Sequence, residues 1–115
     1  VGIGDGGPYE AFAHTPSNAA KLYEAGVRVA LSTADSGTGR SVAMEAVVAK
    51  AHGLPEMAAL MAVTSEAASI LGIADRTGTL APGMDADIVI WEGRPISTWA
   101  VAQTVIVDGI THFHR

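Results

Sequence analysis

The chain of 115 residues contains no cysteine. That excludes a disulfide scaffold and thiolate chemistry. Aromatic residues make up 5% of it, too few for a base-stacking platform. Positive charge is also scarce, with 7 Lys and Arg against 12 Asp and Glu and a formal net charge of −5. No basic stripe marks a nucleic-acid surface. No apolar run approaches the roughly 20 residues of a membrane span, and no leader-like stretch follows Val1, so neither nucleic acid nor membrane is an expected partner and a cytoplasmic location is the expectation. Charged residues are 17% against 49% hydrophobic, and mean hydropathy is +0.30. That balance excludes a disordered polymer, which needs the reverse.

Residues 1–8 hold four glycines and a proline and read as loop. Thr15-Pro16 predicts a helix start, with Thr15 as N-cap and Pro16 at the first helical position. Ala19, Leu22 and Tyr23 follow at helical spacing, and Gly26 stops the helix. Val27 to Leu31 predicts a short buried strand. Ser32 to Gly39 is a small, polar, Gly-rich loop. A helix is predicted from about Ser41 to His52, then one starting at Leu54-Pro55-Glu56, then one capped by Thr64 and ended by Gly72.

The character changes after about Ala74. Thr79-Leu80-Ala81 predicts a short strand, Pro82-Gly83 a type II turn, and Ala86 to Trp91 a continuous buried strand. Val101 to Val107 and Ile110 to His114 predict a hairpin about Asp108-Gly109. A simple hairpin would set His112 opposite Val105 and His114 opposite Gln103. These pieces do not make a self-sufficient fold. A single strand among several helices has no parallel neighbour, and its ladder donors and acceptors would be orphaned. Val1 in place of a methionine also points to residues upstream.

Several stretches in fixed order resemble the C-terminal part of the metal-dependent amidohydrolase superfamily, in its imidazolonepropionase-like branch. They are Ala25 to Leu31 leading to Asp35, Glu45-Ala46 through Ala51-His52-Gly53-Leu54, Ala62 to Ala68 with Leu71-Gly72-Ile73, Gly78 to Trp91, and Val105 to Gly109. The run G-x-L-x-P-G-x-D-A-D-I-V-I-W followed by V-x-V-D-G is the most specific part. The resemblance implies an α/β fold. Residues 1–73 would be the last strand and closing helices of a (β/α)8 TIM-type barrel, and residues 74–115 the C-terminal strands of a small composite β-sandwich. A complete barrel takes roughly 250 residues, so this chain would be a segment needing the remainder of the barrel or another copy of the chain.

The resemblance also implies that Asp35, just after the last barrel strand, is a catalytic residue and a ligand to a divalent metal, zinc being the first expectation. A carboxylate suits this as a hard anionic ligand that can also accept a proton. The family often sets its aspartate directly after Ser or Thr, whereas Ala34 separates Thr33 from Asp35 here. The alternative role for Asp35 is a turn or helix cap. Ser36, Gly37 and Arg40 border the implied substrate pocket. Arg40 is able to grip a carboxylate bidentately, or to form an ordinary ion pair.

The remaining candidates read as structural. Glu45 is a helix-surface or salt-bridged residue. His112 and His114 lack the third ligand that zinc requires. Asp85 and Asp87 form a turn, the stripe of Met57, Leu60 and Met61 packs, and Trp91 and Trp99 pack in the sandwich.

The implied parent hydrolyses a non-peptide C–N bond (an amide or cyclic amide) or a small dipeptide through metal-activated water, and the segment alone is expected to be inactive. Two other readings stay open. One is a non-catalytic module binding an anion or nucleotide at the Gly-rich loop, although the Walker spacing and its lysine are absent. The other is a degenerate amidohydrolase relative without a metal site.

Overall fold

The computed structural model of the chain describes residues 15–33 and 42–115. Four helices come first: α1 (Asn18–Glu24), α2 (Val42–Ala51), α3 (Glu56–Met61) and α4 (Ser65–Leu71). Three strands follow: β1 (Ile88–Glu92), β2 (Val101–Val107) and β3 (Ile110–His114). They form one antiparallel sheet in the order β1-β2-β3.

Three of the helices end in the same way. Gly26, Gly53 and Gly72 each take a positive φ, of 78°, 105° and 75°. After α1, the Val27 amide donates to Leu22 O and the Gly26 amide to Tyr23 O. After α2, Leu54 donates to Ala49 O and Gly53 to Lys50 O; after α4, Ile73 donates to Ala68 O and Gly72 to Ser69 O. This is the Schellman pairing, which satisfies the last carbonyls of a helix and places an apolar residue just beyond it. After α2 that residue is Leu54, 2% exposed and the largest fully buried side chain.

The start of α1 differs from expectation. Asn18 N–H donates to Thr15 O, so a tight turn holding Pro16 precedes the helix. Ser17 is the N-cap residue, without a side-chain cap bond. Thr64 does precede α4, but its hydroxyl donates to Leu60 O at 2.7 Å rather than capping forward.

Residues 27–31 form no strand. Val29 and Leu31 are buried while Val27 is exposed, and the Leu31 amide donates to Ala62 O at 2.9 Å. A ladder needs a neighbour, and the described residues include no parallel strand. The predicted strand at residues 79–81 is also absent. Leu80 lies exposed there, and the Met84 amide donates to Ala81 O to close the Pro82-Gly83 turn, with Gly83 at the positive φ that type II requires.

β1 begins at Ile88 because the two residues before it serve the hairpin turn. Ala86 O accepts the Gly109 amide, and Asp87 Oδ1 accepts the Asp108 amide at 2.9 Å. Asp108 and Gly109 both have positive φ, 51° and 75°, the primed geometry whose twist matches the strands. β1 is not buried: Val89 and Ile90 are exposed. In the hairpin a bulge between Val105 and Ile106 shifts the register, so Phe113 opposes Val105 and His114 opposes Thr104. His114 Nδ1 lies 3.0 Å from Thr104 Oγ1.

The core joins α1, α2 and α3 with the segment at 29–31 and the β1–β2 connection. It comprises Ala19, Ala20, Val29, Leu31, Ala46, Ala49, Leu54, Ala59, Ala62 and Ile96. Ile96 comes from the β1–β2 connection and is 3% exposed. Lys50 Nζ donates to Ile96 O at 2.6 Å and lies 3.3 Å from Glu56 Oε2. Arg94 Nε approaches the other oxygen of Glu56 at 3.5 Å. Helix otherwise packs on helix and strand on strand.

Candidate functional site

Asp35, Ser36, Gly37 and Arg40 all lie outside the described residues, as do Ala34 and His14. What the structure shows is the frame on either side of that stretch. Before it, Val29 and Leu31 enter the core, with Leu31 tied to Ala62 O. After it, α2 enters the same core through Ala46, 0% exposed, and Ala49, 4% exposed. Methyl side chains allow close backbone approach, and close-packed cores resist small displacements. The described residues on either side of that stretch therefore share one core.

Beside the frame lies a cavity of about 590 Å³, lined chiefly by Tyr23, Val27, Val29, Leu54, Met57 and Met61. Arg28 and Glu66 form an ion pair at its rim, 2.8 Å apart. Met57 and Met61 are exposed, and within the predicted stripe only Leu60 packs against the core. The cavity is apolar, with no catalytic constellation on its wall. Trp99 is 87% exposed, so it does not pack as expected.

Asp85 and Asp87 act in turns. Asp85 pairs with Arg76 at 2.9 Å, and its amide donates to Arg76 O, while Asp87 holds the hairpin amide. His52 Nδ1 is 2.9 Å from Val48 O, one turn back in α2. A carbonyl only accepts, so this nitrogen carries the proton. Among the described residues no group of three or more His, Cys, Asp or Glu side chains converges to hold a metal ion. They do not make a metal site by themselves. No described helix is long and apolar enough to cross a membrane.

Glu45 departs from its sequence reading. The residue is half-buried, its Oε2 is closed off from solvent without a hydrogen-bond partner, and it forms no ion pair among the described residues. The signal was present in the sequence: one carboxylate within Val42-Ala43-Met44-Glu45-Ala46-Val47-Val48-Ala49.

The chain as a whole has counterparts among known proteins. The amidohydrolase family profile matches residues 12–111, and the chain belongs to that family. It is 36% identical over 105 residues to amidohydrolase tasK of Hapsidospora irregularis, covering 90% of this chain and 11% of that protein. It is 40% identical over 72 residues to an imidazolonepropionase of Mesorhizobium japonicum, covering 58% of this chain and 17% of that protein. Among solved structures it is similar to an amidohydrolase from Thermotoga maritima, with TM-score 0.80 and 36% identity over 88% of this chain and 27% of that one. It is also similar to a Xaa-Pro dipeptidase with methionine bound in its active site, with TM-score 0.68 and 30% identity over 84% of this chain and 25% of that one. The chain thus spans about a quarter or less of the length of these relatives.

Proposed function

We propose that the chain is the C-terminal segment of a metal-dependent hydrolase acting on a C–N bond. The observation that carries this reading is the likeness to the Thermotoga amidohydrolase across 88% of the chain. In the parent, residues 1–73 are the last barrel strand and closing helices, and residues 74–115 are strands of the small sandwich domain. The segment at 27–31, which is not in a ladder with any described strand, fits a strand whose neighbours lie in the rest of the barrel. The parent's divalent metal, with zinc the first expectation, supplies Lewis-acid activation of water. Asp35 is its ligand within this chain, and the other ligands come from elsewhere in the parent. Ser36, Gly37 and Arg40 border the substrate. Similarity to an imidazolonepropionase and to a Xaa-Pro dipeptidase supports a small amide, cyclic amide or dipeptide as substrate.

The test is Asp35→Asn in the full-length parent. Turnover is expected to fall on the order of 100-fold or more, the scale of losing a positioned proton acceptor. Near-normal turnover would remove Asp35 from the site. A parent that purifies without stoichiometric divalent metal would instead be a degenerate relative. The 115-residue chain alone is expected to show no metal-dependent turnover.

A further inference from the structure

We infer that the β1–β2 connection, residues 93–100, is a detachable strap that opens while the helices stay folded. Ile96 is its plug in the helical core, and Lys50 is the hook that holds the plug.

None of the four described helices packs directly on a described strand. The sheet meets the helices through the chain leading into it, which runs against α4 at Gly78, and through this connection. The connection sends Ile96, 3% exposed, into the cluster shared by α1, α2 and α3. Lys50, in the last turn of α2, donates to Ile96 O at 2.6 Å. Plug and hook therefore act on the same residue. Glu56, in the first turn of α3, backs the hook, with Oε2 3.3 Å from Lys50 Nζ and Oε1 3.5 Å from Arg94 Nε. Closure also pins the C-terminal end of α2, the helix that follows residues 34–41.

The rest of the connection is bonded to itself. Ser97 Oγ donates to Arg94 O at 2.9 Å, and the Ala100 amide donates to Ser97 O at 3.3 Å. Neither bond is broken when Ile96 leaves its seat. Arg94 and Trp99 beside it stand exposed. An exposed ion pair such as Arg94–Glu56 contributes little. One apolar side chain and one hydrogen bond thus carry the attachment, whereas the helices share a continuous core. Segments with few buried contacts open before the core they rest on.

The experiment uses the full-length parent carrying Ile96→Cys or Leu54→Cys, pulsed with a thiol reagent and read by peptide-resolved mass spectrometry. Leu54, 2% exposed, is the matched control, a large-to-small change in the same core. Ala59→Cys, at a fully buried position of α3, replaces it if Leu54→Cys does not fold. Each rate is normalised to that of the denatured protein. The thiol at position 96 is expected to label on the order of 10-fold faster than the control. Lys50→Met is expected to widen that ratio roughly five-fold, the scale of one lost hydrogen bond. Equal rates at the two positions would overturn the inference, because the plug would then leave only when the whole core opens. A ratio that Lys50→Met leaves unchanged would overturn it as well, since Lys50 would not be the hook.

Discussion

Gly78 shows how one missing side chain sets a close approach. A Cβ there would lie 2.6 Å from Ala68 Cβ, 3.1 Å from Thr64 O and 3.2 Å from Ser65 Cα, at φ +93°. The obstacles are backbone and a side chain that cannot swing away. Gly78→Ala is therefore expected to cost roughly 2–4 kcal/mol from overpacking and backbone strain combined. Urea unfolding checks this, and an unchanged midpoint would mean that the turn is free to move off α4. The same scale explains why Asp87 is a structural residue. Its carboxylate accepts an amide that the hairpin turn leaves pointing outward, which no spacing rule announces because Asp87 and Asp108 meet only through sheet register.

Among the elements, the helix ends and the hairpin were legible in the sequence. Gly26, Gly53 and Gly72 end helices because a left-handed residue beyond the last turn is nearly a glycine property. Asp108-Gly109 forms its turn for the same local reason. The segments at 27–31 and 79–81 form no strand because a strand is a relation between segments, and neither joins the one described sheet. The bulge that moves His114 opposite Thr104 is likewise a matter of pairing.

The β1–β2 connection is the element whose role emerges only in three dimensions. Ile96 is buried among helices, and Lys50 grips its carbonyl. Ile96→Ala is expected to cost about 2–4 kcal/mol, and Lys50→Met less, about 1 kcal/mol. Denaturant titration measures both. A neutral Ile96→Ala would show that the loop is not what fastens the sheet to the helices.

The whole molecule has a thin core and a wide apolar surface. Among the described residues, seven of the eleven buried hydrophobic ones are alanine: Ala19, Ala20, Ala46, Ala49, Ala59, Ala62 and Ala68. Each methyl gives little transfer free energy, since burial is worth roughly 25 cal/mol per Å². The bulkier side chains stand outside, with Leu80 at 75%, Leu71 at 72%, Met57 at 66% and Ile110 at 63% exposure. Val89, Val105 and Phe113 form one row across the sheet, and Val89 and Phe113 are exposed. Contiguous apolar surface of this kind marks interaction faces. The isolated 115-residue chain is therefore expected to bind a hydrophobic dye strongly and to self-associate with rising concentration, whereas the full-length parent does neither to the same degree. A monomeric, dye-silent segment would count against these faces being interfaces within a larger protein.

Helix stops, turns, the hairpin and, through the ordered motifs, the family could all be read from the order of residues alone. Those signals are local: a glycine at a left-handed position, a proline before a glycine, an alternation of two. Three-dimensional packing was needed to see that β1 lies open, that Ile96 belongs to the helical core, that Asp87 serves the hairpin and that Glu45 holds a carboxylate oxygen away from water. Burial and pairing depend on what arrives from distant parts of the chain, and no window of sequence contains both partners.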